Sequence, residues 1–213
     1  MKPLLTLLLP LLLKLAAVGP PTGKVTFSPL TKAAYLEARK AAIVTKPVAT
    51  FPLKKQKGCI VIPTVKGKVI FQDKGVGTDN DDQAEFSYRG LVASLKYHVV
   101  EGRYWEAFQV HLVGENGQRL DLPSLPEYSP DMRSMVVASS GIEVGYFPNA
   151  IQLYRLENGR WRQVWKIEPS VDPMSWEPEE VRWLSNSALL LKKKMWTGKK
   201  PGTTYTYAKL QVH

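Results

Sequence analysis

The chain has 213 residues, 44% of them hydrophobic, which is enough apolar material for one substantial core and excludes a disordered polar chain. The single cysteine, Cys59, excludes an internal disulfide framework, and the three histidines show none of the paired Cys and His spacings of a zinc site. The formal charge of +10 calls for anionic surroundings.

Residues 1–19, MKPLLTLLLPLLLKLAAVG, place Lys2 before a leucine run and then small residues, the layout of a secretory signal peptide. A membrane span needs about 20 apolar residues, and here Pro10 and Lys14 interrupt a shorter run. The expectation is a cleaved signal, with cleavage after Ala16, Ala17 or Gly19 in competition, and a mature chain without a transmembrane segment. Loss of Lys2 and Lys14 leaves +8. An exported basic protein meets anionic lipid, cell-wall polymer or polysaccharide rather than nucleic acid. Export without a disulfide fits a periplasmic or secreted bacterial protein.

Residues 20–57 read as a lead-in segment with a short helix. Thr31 is the predicted N-cap of KAAYLEARKAAI, Leu36 and Ile43 share its weak apolar face, and Pro47 bounds it. The helix is expected on the edge of a sheet, followed by a basic solvated loop, LKKQKG. From residue 58 to 213 the pattern turns to β, and Cys59 in CIVIP is expected as a buried small hydrophobe. Short runs rich in Val, Tyr, Trp and Leu alternate with period two between Gly, Asn, Pro and Asp turns. The fold class predicted is all-β, an antiparallel meander, with a β-sandwich as the alternative.

The strands repeat. Phe108–Arg119 (FQVHLVGENGQR) aligns with Ile151–Arg162 (IQLYRLENGRWR), each carrying a Glu-Asn-Gly turn. Asn149–Glu157 aligns with Thr203–Gln211, and at the same offset Met135 falls on Leu189. About three units of one strand-turn-strand grammar result. In the middle unit Ser129-Pro130-Asp131, the strand Ser134–Ala138, the strand Ala150–Leu156 and the turn Asn158-Gly159 follow in order. The third unit keeps an echo in Trp183-Leu184-Ser185-Asn186-Ser187. This stretch, about residues 90–212, resembles the Ser-Pro-Asp-Gly repeats of WD-like β-propellers. The resemblance implies propeller-like blades, here an incomplete or degenerate set, because closed propellers use about 4 to 8 blades. Met132 stands where those repeats have Gly, a position that favours positive φ.

Catalytic chemistry finds few candidates. Pairing the strands about Glu101-Gly102-Arg103 sets His98 near Trp105 or Glu106 and His111 far up the hairpin, so the two share no metal. Gly-x-Ser-x-Gly, His-Glu-x-x-His and phosphate-cradling glycine patterns are absent. No catalytic residue is nominated, and no cofactor is implied. In GTDNDDQAEFSY, Asp79, Asp81 and Asp82 offer a weak calcium site, although Ala84 and Gly90 break the EF-hand template. The alternative there is a solvated turn.

Three further stretches are candidate contact surfaces. Lys194, Trp196, Lys199 and Lys200 cluster at a hairpin tip suited to an anionic membrane or polymer. Tyr146 and Phe147, in the loop 139–149, and Trp176, between prolines, either cap the core or meet a partner. The expected function is that of an exported, non-catalytic binding or envelope-associated repeat protein, its partner a protein or an anionic envelope component. The alternatives are a hydrolase acting on an envelope polymer, whose sign would be a pocket lined by two facing acids, and an inhibitor or adaptor.

Overall fold

The computed structural model describes residues 23–78, 81–141, 148–169, 175–195 and 204–213, so the predicted signal segment lies outside the described residues. The first elements are strand β1 (Val25–Leu30) and helix α1 (Lys32–Lys40). Thr31 caps the helix by accepting from the Ala34 amide, and Arg39 and Lys40 meet the negative end of its dipole. The buried helical side chain is Tyr35, whereas the predicted stripe of Leu36 and Ile43 is exposed. The phenol wins the inward position because its hydroxyl finds a carboxylate, Glu180, at 2.5 Å.

Four antiparallel sheets follow. The first is the hairpin of β3 (Cys59–Thr64) and β4 (Gly67–Gln72), and the second runs β2 (Ala49–Thr50), β5 (Ala84–Val92), β6 (Tyr97–Tyr104), β7 (Ala107–Gly114), β8 (Arg119–Leu122). The third is β9 (Glu127–Tyr128), β10 (Ser134–Ser139), β11 (Ala150–Glu157) and β12 (Arg160–Ile167). The fourth combines β13 (Trp176–Ser185), β14 (Ala188–Met195) and β15 (Thr204–Val212) with β1, which pairs with β15 from Val25↔Val212 to Leu30↔Tyr207.

The sheets stack face to face. Ile60, Ile62 and Phe71 of the first pack on Phe86, Val100 and Val113 of the second. Leu112 and Leu122 of the second meet Met135, Val137 and Trp161 of the third. Val136, Ile151 and Leu153 of the third meet Trp183, Leu189 and Leu210 of the fourth. Strand β10 is thus buried on both faces, which explains its unbroken apolar run. No buried cluster joins the first sheet to the fourth among the described residues, so the stack is open.

The repeat units map onto this topology. Strands β7, β11 and β15, which carry the aligned segments, each stand third in the chain-order runs β5–β8, β9–β12 and β13–β15, and β10 and β14 each stand second. The chain ends after the third strand of the last sheet, and β1 fills the fourth place. In the Ser-Pro-Asp turn the buried Ser129 hydroxyl donates to Asp131 at 2.7 Å and accepts from the Ser134 amide at 2.9 Å. Met132 has φ 60°, the left-handed conformation glycine would adopt without strain.

Residues 41–56 run as a strap over the sheet edges. The Ile43 amide donates to Trp183 O on β13 at 2.8 Å, Thr45 bridges Tyr128 on β9, and Ala49 and Thr50 pair with Val92 and Leu91 on β5. Three edge strands that would otherwise offer free backbone groups are covered in turn. Gly90 lets the strap approach: a Cβ there would lie 2.8 Å from Thr50 O, and its φ is +112°.

Two sequence expectations need correction. The hairpin joining β6 to β7 turns at Trp105-Glu106, so His98 pairs with Val113, and His111 with Val100. Positive φ at Glu106 makes that turn, and residues 101–103 continue the strand. Cys59 is half-buried because it lies on the face of β3 opposite Ile60 and Ile62.

Candidate functional site

Beyond the point where β1 leaves the fourth sheet, its two neighbours continue. The β1–β15 ladder stops at Leu30↔Tyr207, whereas β14 and β15 remain paired as far as Met195↔Thr204. Thr31 then redirects the chain into α1. A groove of about 800 Å³ fills the resulting step. Its walls are Phe27, Pro29 and Leu30 of β1 with Lys32 of α1, and its floor is Lys193 and Met195 of β14 and residues 204–208 of β15. Tyr205 stands 39% exposed within it. Among the described residues no Asp or Glu contributes to this lining.

The lysines of β14 separate by strand alternation. Lys192 lies 3.4 Å from Glu179 and 3.9 Å from the Tyr205 ring centroid, and Lys194 lies 3.1 Å from Glu177. Lys193 points the other way, into the groove, with its ammonium 5.1 Å from the Trp176 ring centroid. Burial lowers its pKa below the usual lysine value. Of the predicted contact residues, Lys194 is therefore an ion-pair member with a side chain 19% exposed. Trp176 begins β13 and packs against the core between the third and fourth sheets. Tyr146, Phe147, Trp196, Lys199 and Lys200 lie outside the described residues. Lys193 was not among the predicted contact residues: within the KKK run only the opposing acids of β13 distinguish it from Lys194.

Two polar clusters test for chemistry. The first is a cleft of about 270 Å³ between the third and fourth sheets, lined by Glu127, Glu179, Glu180 and Arg182 among others. Facing acids were the predicted sign of a hydrolase, but here each has a cationic partner. Arg182 binds Glu127 and Glu180, Arg39 binds Glu180 at 3.0 Å, and Lys192 approaches Glu179. Burial alone would raise the Glu180 pKa, yet the bonds from Arg39, Tyr35 and Arg182 outweigh it and hold it at about 2. Such a carboxylate cannot act as a general acid near neutral pH. It ties α1 to β13, and Arg182 extends the tie to β9.

The second cluster lies between the first and second sheets. His111, fully buried, hydrogen-bonds Asp121 through Nδ1 at 2.7 Å and the Tyr104 hydroxyl through Nε2 at 2.9 Å. Assigned from this network, Nδ1–H donates to Asp121 and Nε2 accepts from Tyr104. Arg119 holds Asp121 at 2.8 Å and lies 5.1 Å from the Phe71 ring centroid. Burial lowers the His111 pKa, and also that of His98, whose Nδ1 meets the Tyr88 hydroxyl at 2.8 Å. Gly102 makes room, since a Cβ there would sit 2.9 Å from both His111 Nε2 and the Tyr104 hydroxyl. The Asp-His-Tyr order imitates a relay, but Phe71 and Phe86 cover the imidazole, 5.0 and 6.0 Å away between ring centroids.

Of the three aspartates considered for calcium, Asp81 and Asp82 are exposed and Asp79 lies outside the described residues. No group of three or more His, Cys, Asp or Glu placed to hold a metal ion occurs among the described residues. No helix among them is long and apolar enough to cross a membrane. Compared with known proteins, the chain matches no family model and no curated protein sequence.

Proposed function

We propose that this chain is an exported, non-catalytic binding protein of the bacterial envelope, and that its ligand surface is the groove at the end of the fourth sheet. The observation that carries the reading is Lys193. Its neighbours on β14 are each matched to a glutamate, whereas Lys193 faces a groove lined by no carboxylate among the described residues. A partly buried ammonium held against an aromatic ring and an open groove favours an anionic guest, which restores the stabilisation that burial removes. The resemblance of residues 90–212 to propeller blades agrees with a scaffold that presents a surface, although such folds host many functions. The basic charge of the chain adds attraction to anionic envelope components.

The test is binding of the full chain to bacterial envelope fractions and to purified anionic polymers and vesicles. Binding is expected to weaken with Lys193→Met and to persist with Lys209→Met, an exposed lysine outside the groove lining. Equal loss with both variants would reduce the effect to net charge and remove the groove from the account.

A further inference from the structure

The groove differs from a site built for a polar polyanion. Phe27, Leu30, Met195 and Ala208 give it an apolar wall and floor, and the cations Lys32 and Lys193 stand beside them. The hydroxyls of the lining come from Thr204, Tyr205, Thr206 and Tyr207, and a hydroxyl-rich chain would leave the polar groups that face Phe27, Leu30, Met195 and Ala208 without partners. A volume of about 800 Å³ also lies in the range of small-ligand sites rather than of polymer tracks.

We propose that the groove takes an anionic amphiphile, its carboxylate or phosphate head on Lys193 and its alkyl chain along Phe27, Leu30, Met195 and Ala208. This rests on the binding-protein reading above and names the ligand class. Three observations converge on it. The step at the end of β1 leaves an open trough bounded by apolar side chains. Lys193 lies within the same trough with no ion pair among the described residues. The strand's other two lysines, Lys192 and Lys194, are paired with Glu179 and Glu177, so Lys193 is the lysine of β14 that positions the head, with Lys32 of α1 in the groove wall. Trp176, against the Lys193 ammonium, supplies a fluorophore that senses the arrival of an anion.

The experiment follows Trp fluorescence and calorimetry of the full chain with octanoate, decanoate and dodecanoate below their micellar concentrations. Dodecyl phosphate distinguishes the two headgroups, and the alcohols of equal length serve as neutral partners. Affinity is expected to rise about fourfold per methylene, the fold-change equivalent of burying each one. The alcohols are expected to bind at least about tenfold more weakly, as a lost charge-assisted contact requires. In Lys193→Met the anion and the alcohol of the same length should bind alike, with the chain-length dependence kept. That variant should also melt no lower than the parent, because it removes a partly desolvated charge, so a folding defect would not mimic the result.

Absence of chain-length dependence, or equal binding of acid and alcohol by the parent chain, overturns the proposal. If an acidic polysaccharide binds through Lys193 while dodecanoate and dodecyl phosphate do not, the binding-protein reading stands and the amphiphile falls. If none of these probes responds to Lys193→Met, both fall.

Discussion

Protonating His111 would place a charge beneath Phe71 and Phe86, with Arg119 already nearby and only Asp121 to receive it. Burial outweighs Asp121, so the folded-state pKa of His111 is lowered, and that of His98 is lowered by burial against the weaker pull of Glu115. Below the ordinary histidine pKa, the unfolded chain therefore binds more protons than the folded one. Stability is complete above about pH 6.5 and falls as the pH drops towards the lowered values. Glu180 acts in a separate window: its stabilisation is present above the ordinary glutamate pKa and is lost as the pH falls through about 2. The urea midpoint is thus expected to decline between about pH 6.5 and pH 4.5 with the carboxylate ties still intact. A midpoint that stays flat across that interval would mean that the two imidazoles are not held neutral by the fold.

At the scale of elements, the helix packs Tyr35 on Tyr207 of β15, 4.5 Å between ring centroids, and its polar ties to the sheet converge on one carboxylate. Glu180 accepts from the Tyr35 hydroxyl at 2.5 Å and from both Arg39 and Arg182, joining α1 to β13 and, through Glu127, to β9. Replacing it by glutamine keeps the shape and removes the charge. Tyr35 is buried, while Arg39 is half-exposed and its share is screened by water. Glu180→Gln is expected to lower the unfolding free energy by about 2 kcal/mol, the scale of hydrogen bonds to a charged group. Arg39→Gln should lose much less. The two denaturation curves compared side by side check this, and equal losses would place the weight on the exposed pair.

The same elements show what could be read from sequence. Short runs rich in Val, Tyr and Leu between Gly and Asn turns located β7, β11 and β15; burial alternates in β15, whereas β7 and β11 are covered on both faces and read as near-continuous apolar runs. The helix itself was visible from Thr31 and its helix formers. Its buried face was not, because Tyr35 is chosen by a partner 145 residues away. The turn at Trp105-Glu106 escaped for a related reason. Glu106 adopts φ 55° without a glycine to announce it, while Gly102, which looked like a turn residue, serves close packing of Tyr104 and His111. Lys193 was hidden by register. Alternation separates it from Lys192 and Lys194, but the choice of inward face depends on which strand carries the opposing acids, Glu177 and Glu179.

In the whole molecule, each sheet closes its neighbour's apolar face, and the fourth is incomplete without β1. Strand β1 covers the outer edge of β15, places Phe27 6.0 Å from the Trp165 ring of the third sheet, and supplies a groove wall. The Gly23 amide adds a bond to Val164 O at 2.8 Å. A chain beginning at Gly23 retains all of these contacts; one beginning at Lys32 loses them and exposes a β15 edge beside Ala208, Leu210 and Val212. The first is expected to melt cooperatively at the temperature of the full chain. The second is expected to melt lower and to self-associate through the free edge, the usual fate of an unprotected apolar strand. Circular dichroism melts and sedimentation velocity separate the two outcomes. A peptide spanning residues 23–31 should bind the shortened chain and suppress its association, since the register from Val25↔Val212 to Leu30↔Tyr207 is set by residues on both sides. If the shortened chain instead stays monomeric and melts like its longer counterpart, β1 is a passenger, and the groove it walls has no fixed shape.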